Sequence, residues 1–207
     1  MSLIIFLKIF TVCILGAISP GPSMVVVINN AIFKNRYHGI LTSIGHGLGI
    51  GIYALFAVLG IAIIIQTNIF FFNTIKIISI IFLIYLGLKS ITSKNKLEFD
   101  KKELRGGLMS FFQGLSISLL NPKIFIWFVA IYSQFMSLEN DLIFNTYLVL
   151  TAGLVDASWY IILTFLVTSK ATLEVVKRKS IILQKAVGSI FILIGILLLI
   201  QIITEYT

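Results

Sequence analysis

The sequence predicts an all-α protein, a polytopic transmembrane bundle of six spans whose first and fourth helices are broken. Three observations carry that prediction. The 207-residue chain is 58% hydrophobic and 12% charged, with a mean hydropathy of +1.07. It is too apolar for a water-soluble domain and far from a disordered composition. Its apolar residues gather into six runs, each long enough to cross a hydrocarbon core of ~30 Å, which takes about 20 helical residues at ~1.5 Å each. Its prolines, Pro20, Pro22 and Pro122, fall inside these runs and not between them.

The runs cover residues 3–32, 40–66, 69–89, 108–135, 142–167 and 181–203. The first reads as a permanent span. Lys8 is its only early charge, it is roughly twice as long as a signal-peptide core, and no cleavage motif leads into a polar mature sequence. It is interrupted at Ser19-Pro20-Gly21-Pro22, and Asn29 and Asn30 follow the break. The second carries "GHGLGIG" from Gly45 to Gly51, two overlapping small-xxx-small pairs that let helices approach closely. The third opens near Phe70-Phe71-Phe72, which read as interfacial anchors, and holds Lys76 at a depth of roughly 10 Å, within reach of the outer interface. The fourth brings Gln113 and Ser116 toward its own break at Asn121-Pro122-Lys123. The fifth carries Asp156 close to the midplane, and the sixth has Gln184 and Lys185 near its start and is mostly apolar beyond them.

The connections are short, and the longest, 89–107, is a charged loop, so one transmembrane domain is expected over 1–207. That loop divides the spans into two sets of three, 1–91 and 106–207. Because three is odd, halves that share a fold insert in opposite orientations, a 3+3 inverted repeat. Both halves open with a proline break, and "GIGIYALF" and "DASWYIIL" set Tyr53 opposite Tyr160.

The net charge of +8 is arranged by topology. Lys34, Arg36, Lys89, Lys94, Lys96, Lys101, Lys102, Arg105, Lys170, Lys177, Arg178, Lys179 and Lys185 fall in or beside the first, third and fifth connections, whereas the opposite side holds Lys8, Glu139, Asp141 and Glu205. The positive-inside rule makes the basic side cytoplasmic and places both termini outside. Attraction to anionic membrane lipid accounts for the charge, and no nucleic-acid partner is needed. One cysteine, Cys13, and two histidines, His38 and His46, exclude a disulfide framework and give no metal cage, so no metal and no cofactor are expected. Cys13 reads as a packing residue, and His46 as a satisfied polar residue, not a ligand.

The breaks carry the chemistry. A proline inside a helix removes a donor and frees a carbonyl. In lipid such backbone is tolerated only where it is buried in protein or lines a cavity. The half-helix beyond Pro22 begins with the amides of Ser23 and Met24, at the positive end of the helix dipole, an arrangement that suits an anion. Lys123 and Asp156 both lie near the midplane, where a charge costs at least ~2.5 kcal/mol. Lys123 could meet a substrate carboxylate, and Asp156 a substrate ammonium group or a coupling proton. Alternatively the two form a structural ion pair. Pro20, Gly21, Pro22, Ser23, Gln113, Asn121, Pro122 and Lys123 are therefore the candidate substrate-binding residues, Asp156 the candidate for coupling or ammonium binding, and Lys76 a pathway candidate. No paired acid and base and no nucleophile with a base is visible, so the chain is not expected to be an enzyme. A channel would need a continuous polar stripe, and a non-transporting subunit would leave the buried charges as a bare ion pair.

In order and spacing, "SPGPSM" at Ser19, "YHGILTSIGHGLGIGIY" at Tyr37, "IKIISIIFLIYLGLKSI" at Ile75, "FFQGLSISLLNPKIFIWF" at Phe111, "LVDASWY" at Leu154 and "KAVGSIFILIGILLL" at Lys185 resemble the lysine exporter (LysE/RhtB) family of bacterial amino-acid exporters over nearly the whole chain. The resemblance implies a multi-pass protein of the bacterial inner membrane that exports amino acids or close derivatives as a proton-driven secondary transporter. Carried onto matching positions, it singles out Pro20, Gly21, Pro22, Lys76, Asn121, Pro122, Lys123 and Asp156. Branches of the family differ in preferring basic, neutral or branched substrates, and the glycine-rich face with His46 belongs to no one branch, so the amino acid carried is left open. Beyond substrate, proton and lipid, a homodimer is a candidate assembly.

Overall fold

The computed structural model describes residues 3–93, 106–136 and 142–205. Within them the chain forms α1 (Leu3–Ile18), α2 (Pro22–Phe33), α3 (Arg36–Thr67), α4 (Ile69–Thr92), α5 (Gly107–Leu119), α6 (Pro122–Tyr132), α7 (Leu142–Val167) and α8 (Lys170–Glu205), with no strand among the described residues. The basic residues of the loop from Lys94 to Arg105, and Glu139 and Asp141, lie outside them.

α3, α4, α7 and α8 each hold an unbroken apolar stretch long enough to cross a membrane. α1 and α2 meet at 66°, and α5 and α6 at 59°, so counting each bent pair once gives six spans. The proline positions explain both bends: Pro22 and Pro122 each stand in the first turn of the second half-helix, where a missing N–H has no partner to lose. Asparagines set the other ends. Asn35 caps α3 by accepting from the His38 N–H at 3.2 Å, and Asn68 closes α3 and caps α4, accepting from the Phe71 N–H at 2.9 Å. A single residue thus turns the chain back on itself.

Burial orders the bundle. The apolar windows of α3 and α7 are 44% buried, those of α4 and α8 only 22%. α3 and α7 therefore stand at the centre, packed on each other and on α5 and α1, while α4 and α8 pair at the periphery. Small residues permit these crossings. A Cβ on Gly47 would lie 2.7 Å from the Gly153 carbonyl and one on Gly153 2.9 Å from the Gly47 carbonyl; Gly87 and Gly188 make the same reciprocal contact at 2.7 Å. Gly45 and Gly114 bring α3 and α5 together in the same manner, against the backbone at Phe111 and Thr42. Gly51 has open space around it, so the glycine face is a set of specific contact points.

α8 begins eleven residues before the apolar run that sequence marks, at Lys170. Leu173 and Val176, three apart on one helical face, pack on the apolar cluster formed by Met24, Val27 and Ile28 of α2 with Leu163 and Val167 of α7. That contact carries the helix through its basic stretch.

Candidate functional site

At the first break α1 ends at Ile18, and the Ser19 amide takes the Gly16 carbonyl at 3.3 Å, the group Pro20 would otherwise leave bare. Gly21 is extended, at φ 178° and ψ −170°, and is the N-cap of α2; having no side chain, it gives the helix no side-chain cap. At the second break Asn121 holds the same position before Pro122, and its Oδ1 accepts from the Lys123 N–H at 3.0 Å. The end of α5 is satisfied as well. The Ser118 carbonyl accepts from the Asn121 amide at 3.4 Å, and the Leu119 carbonyl from the Tyr53 hydroxyl.

The two breaks meet. Lys123 Nζ donates to Ser19 Oγ and, at 3.4 Å, to the Pro20 carbonyl, while Asn121 Nδ2 donates to Ser23 Oγ at 3.4 Å. One cation from the second break is thereby held at the first, beside the uncapped end of α2.

The ion pair between Lys123 and Asp156 that the sequence allows does not form. Asp156, 5% exposed, pairs instead with His46, 1% exposed, through Nδ1 and Oδ2 at 2.6 Å. The His46 ring stands nearly edge-on to Tyr160, centroids 4.9 Å apart at 73°. The bond to Asp156 satisfies Nδ1, as the sequence suggests for this residue, whereas Nε2 is buried with no partner among the described residues.

A small cavity, about 60 Å³, joins these groups. It has room for a handful of waters. Ser19, Gly21, Ser23, Asn121 and Lys123 line one part, and His46, Asp156 and Tyr160 another; Val12, Ile50, Trp127, Phe128 and Phe191 make the apolar walls. Pro20 and Pro22 are absent from the lining and act by shaping the backbone.

Two candidates lie elsewhere. Gln113 faces the groove between α2 and α5, where its Oε1 accepts from Asn30 Nδ2 at 2.9 Å. Asn30 also donates to Thr42 at 2.8 Å, and nearby Ser110 accepts from Lys34 Nζ at 3.1 Å. Gln113 lies six residues before Leu119, where α5 ends, about 9 Å of helix short of the break, so it joins this second polar cluster and not the cavity. Lys76 is half-buried on peripheral α4 and is also outside the cavity lining.

His46 and Ser19 are the site residues that sequence reading passed over. For His46 a signal existed: Gly45, Gly47 and Gly49 draw the α5 and α7 backbones so close that the side chain between them must be buried. Asp156 on the fifth span was then its available counter-charge.

These features define a multi-pass helical membrane protein with a polar, charge-bearing cavity where two broken helices cross. It belongs to the LysE type translocator family, whose model matches residues 14–202. The chain is 27% identical to the uncharacterized membrane protein YrhP of Bacillus subtilis over 192 residues, 86% of this chain and 90% of that protein. It is 28% identical to a leucine efflux protein of Salmonella typhimurium, covering 73% of this chain and 72% of that one. It is also 28% identical to a threonine efflux protein of Escherichia coli, covering 65% and 68%. No solved structure matches it.

Proposed function

We propose that the protein is a secondary transporter that exports amino acids or close derivatives from the cytoplasm, coupled to the proton gradient by alternating access. One observation carries the reading: the cavity has a cationic pole and an anionic pole that do not neutralise each other. Lys123, with the uncapped start of α2, suits a carboxylate; Asp156, with His46, suits an ammonium group. A free α-amino acid carries both charges on one carbon, and the apolar wall is available to its side chain. Leucine and threonine efflux by relatives agrees with such a substrate.

In this reading each bent pair is one span, the membrane is the bacterial inner membrane, the basic connections are cytoplasmic, and both termini lie outside. The halves form an inverted repeat. The matched breaks support it, with Pro22 and Pro122 each opening the second half-helix of the first span of its half. A cavity that holds only a few waters must widen to take a substrate. Rocking of one half against the other about the breaks would open it to each side in turn.

The test is efflux of a panel of amino acids from proteoliposomes of the purified chain, with and without an imposed pH gradient. Saturable flux of particular amino acids that rises with an inward proton gradient is expected. Unsaturable flux that follows only the substrate gradient would make the protein a channel, and no flux of any amino acid would end the reading. Asp156→Asn should insert and fold yet lose export, by roughly 10- to 150-fold if one charged hydrogen bond of ~1.5–3 kcal/mol is removed.

A further inference from the structure

Resting on the exporter reading, we propose that Nε2 of His46 is the site at which a proton and the substrate's ammonium group compete, so that their mutually exclusive binding couples export to proton entry. The geometry divides the two ring nitrogens between two tasks. A carboxylate oxygen only accepts, so the 2.6 Å bond to Asp156 Oδ2 commits Nδ1 as the donor. Nε2 is then the acceptor, and it is buried without a partner among the described residues, on a ring that lines the cavity. Leaving such an atom unpaired is costly, so a working cycle that supplies a donor there is favoured. Both a proton and an ammonium group supply one.

Charge makes the two exclusive. The His46–Asp156 pair carries one negative charge when Nε2 is bare. Either a proton on Nε2 or a substrate ammonium group beside it neutralises that charge. A protonated Nε2 has no lone pair left to accept with and meets an ammonium group as a like charge at low dielectric, while the substrate's carboxylate answers Lys123. The other titratable groups at the cavity are occupied or lack charge to offer. From α6 come Lys123, held by Ser19 and the Pro20 carbonyl, and Tyr132, whose hydroxyl donates to the Leu148 carbonyl at 2.9 Å. From α7 come Asp156 itself and Tyr160, and from α1 Cys13; among the described residues α2, α5 and α8 place no titratable group in the lining.

The cycle balances with one proton per substrate. On the cytoplasmic side the arriving ammonium group takes the place of the proton, which leaves to the cytoplasm. On the outer side a proton binds Nε2 and the substrate departs. No covalent bond is made or broken.

The experiment uses the purified full chain and the amino acid with the largest flux in the panel above. In weakly buffered solution with a pH indicator, saturating substrate should release one proton per protein, and apparent affinity should fall about tenfold per pH unit on the acid side. His46→Gln, which keeps a polar group against Asp156, should bind substrate about tenfold more weakly, release no proton on binding, and leave an exchange of labelled substrate that does not respond to a pH gradient. A readout that needs no change at His46 is ¹⁵N resonance of the imidazole in a His38→Gln background, where a single histidine remains. Its Nε2 signal should move from bare acceptor to hydrogen-bonded as substrate saturates. Wild-type coupled flux together with one-proton release by His46→Gln, or an Nε2 signal indifferent to substrate, overturns this proposal and leaves the exporter reading standing. Wild-type protein that moves no amino acid overturns both.

Discussion

At the second helix break the chain caps its own helix, with Asn121 Oδ1 accepting from the Lys123 N–H at 3.0 Å. At the first break the same position before proline is Gly21, and α2 starts without a side-chain cap. An asparagine at an N-cap is worth only a few tenths of a kcal/mol more than glycine, so the cost of the open end is small. What differs is what each end leaves available. The second break satisfies its leading amide internally and exports a cation, since Lys123 reaches across to Ser19 and Pro20. The first leaves its leading amides without a side-chain cap and receives that cation. Two breaks that read alike in sequence thus divide the work, and the positive features of both gather at one place.

Three substitutions test that division. The largest effect is expected from Lys123→Met, which removes the cation without adding bulk. Losing a charge-assisted hydrogen bond of ~1.5–3 kcal/mol should lower efflux efficiency about 10- to 150-fold for amino acids and spare the corresponding amines, which lack a carboxylate. Equal losses for both in the proteoliposome assay would remove Lys123 from the carboxylate pole. Gly21→Asp comes next. A Cβ at Gly21 meets only Lys123 Nζ, at 3.8 Å, and the extended backbone there is open to any residue. The new carboxylate would cap α2 and face Lys123, filling the place assigned to substrate. The melting temperature in detergent should rise while apparent affinity falls about tenfold, the worth of ~1.4 kcal/mol. A rise in both would show that substrate does not use the open helix end.

The fold was legible because its determinants are local or periodic. Apolar runs give spans, Pro22 and Pro122 give the bends at 66° and 59°, and both proline breaks do share one cavity. The site was legible at the level of residues and not of partners. Lys123 and Asp156 stood out because charge is costly in lipid, but which group each would meet depends on helix rotation and crossing, which no single run encodes. Their pairing with Ser19 and His46 follows from glycine contacts between spans far apart in sequence. Gln113 misled for a related reason. It is polar and close to the break in sequence, yet α5 turns it toward Asn30 and away from the cavity. A polar residue is marked by its chemistry and placed only by the phase of its helix.

The smallest effect is expected from Asn121→Gly, the converse of capping the first break. It removes the oxygen that holds the Lys123 N–H and the amide that reaches Ser23 at 3.4 Å. At an N-cap the exchange should cost a few tenths of a kcal/mol of stability, and loosening the contact between the breaks should lower apparent affinity about two- to threefold. The comparison with Lys123→Met is what gives this variant its value. If the division of labour holds, opening the second helix end creates no useful anion site, because the cation from that break is already committed across the cavity. If Asn121→Gly instead costs as much efflux as Lys123→Met while the melting temperature barely moves, Asn121 contacts substrate directly and the two breaks contribute alike.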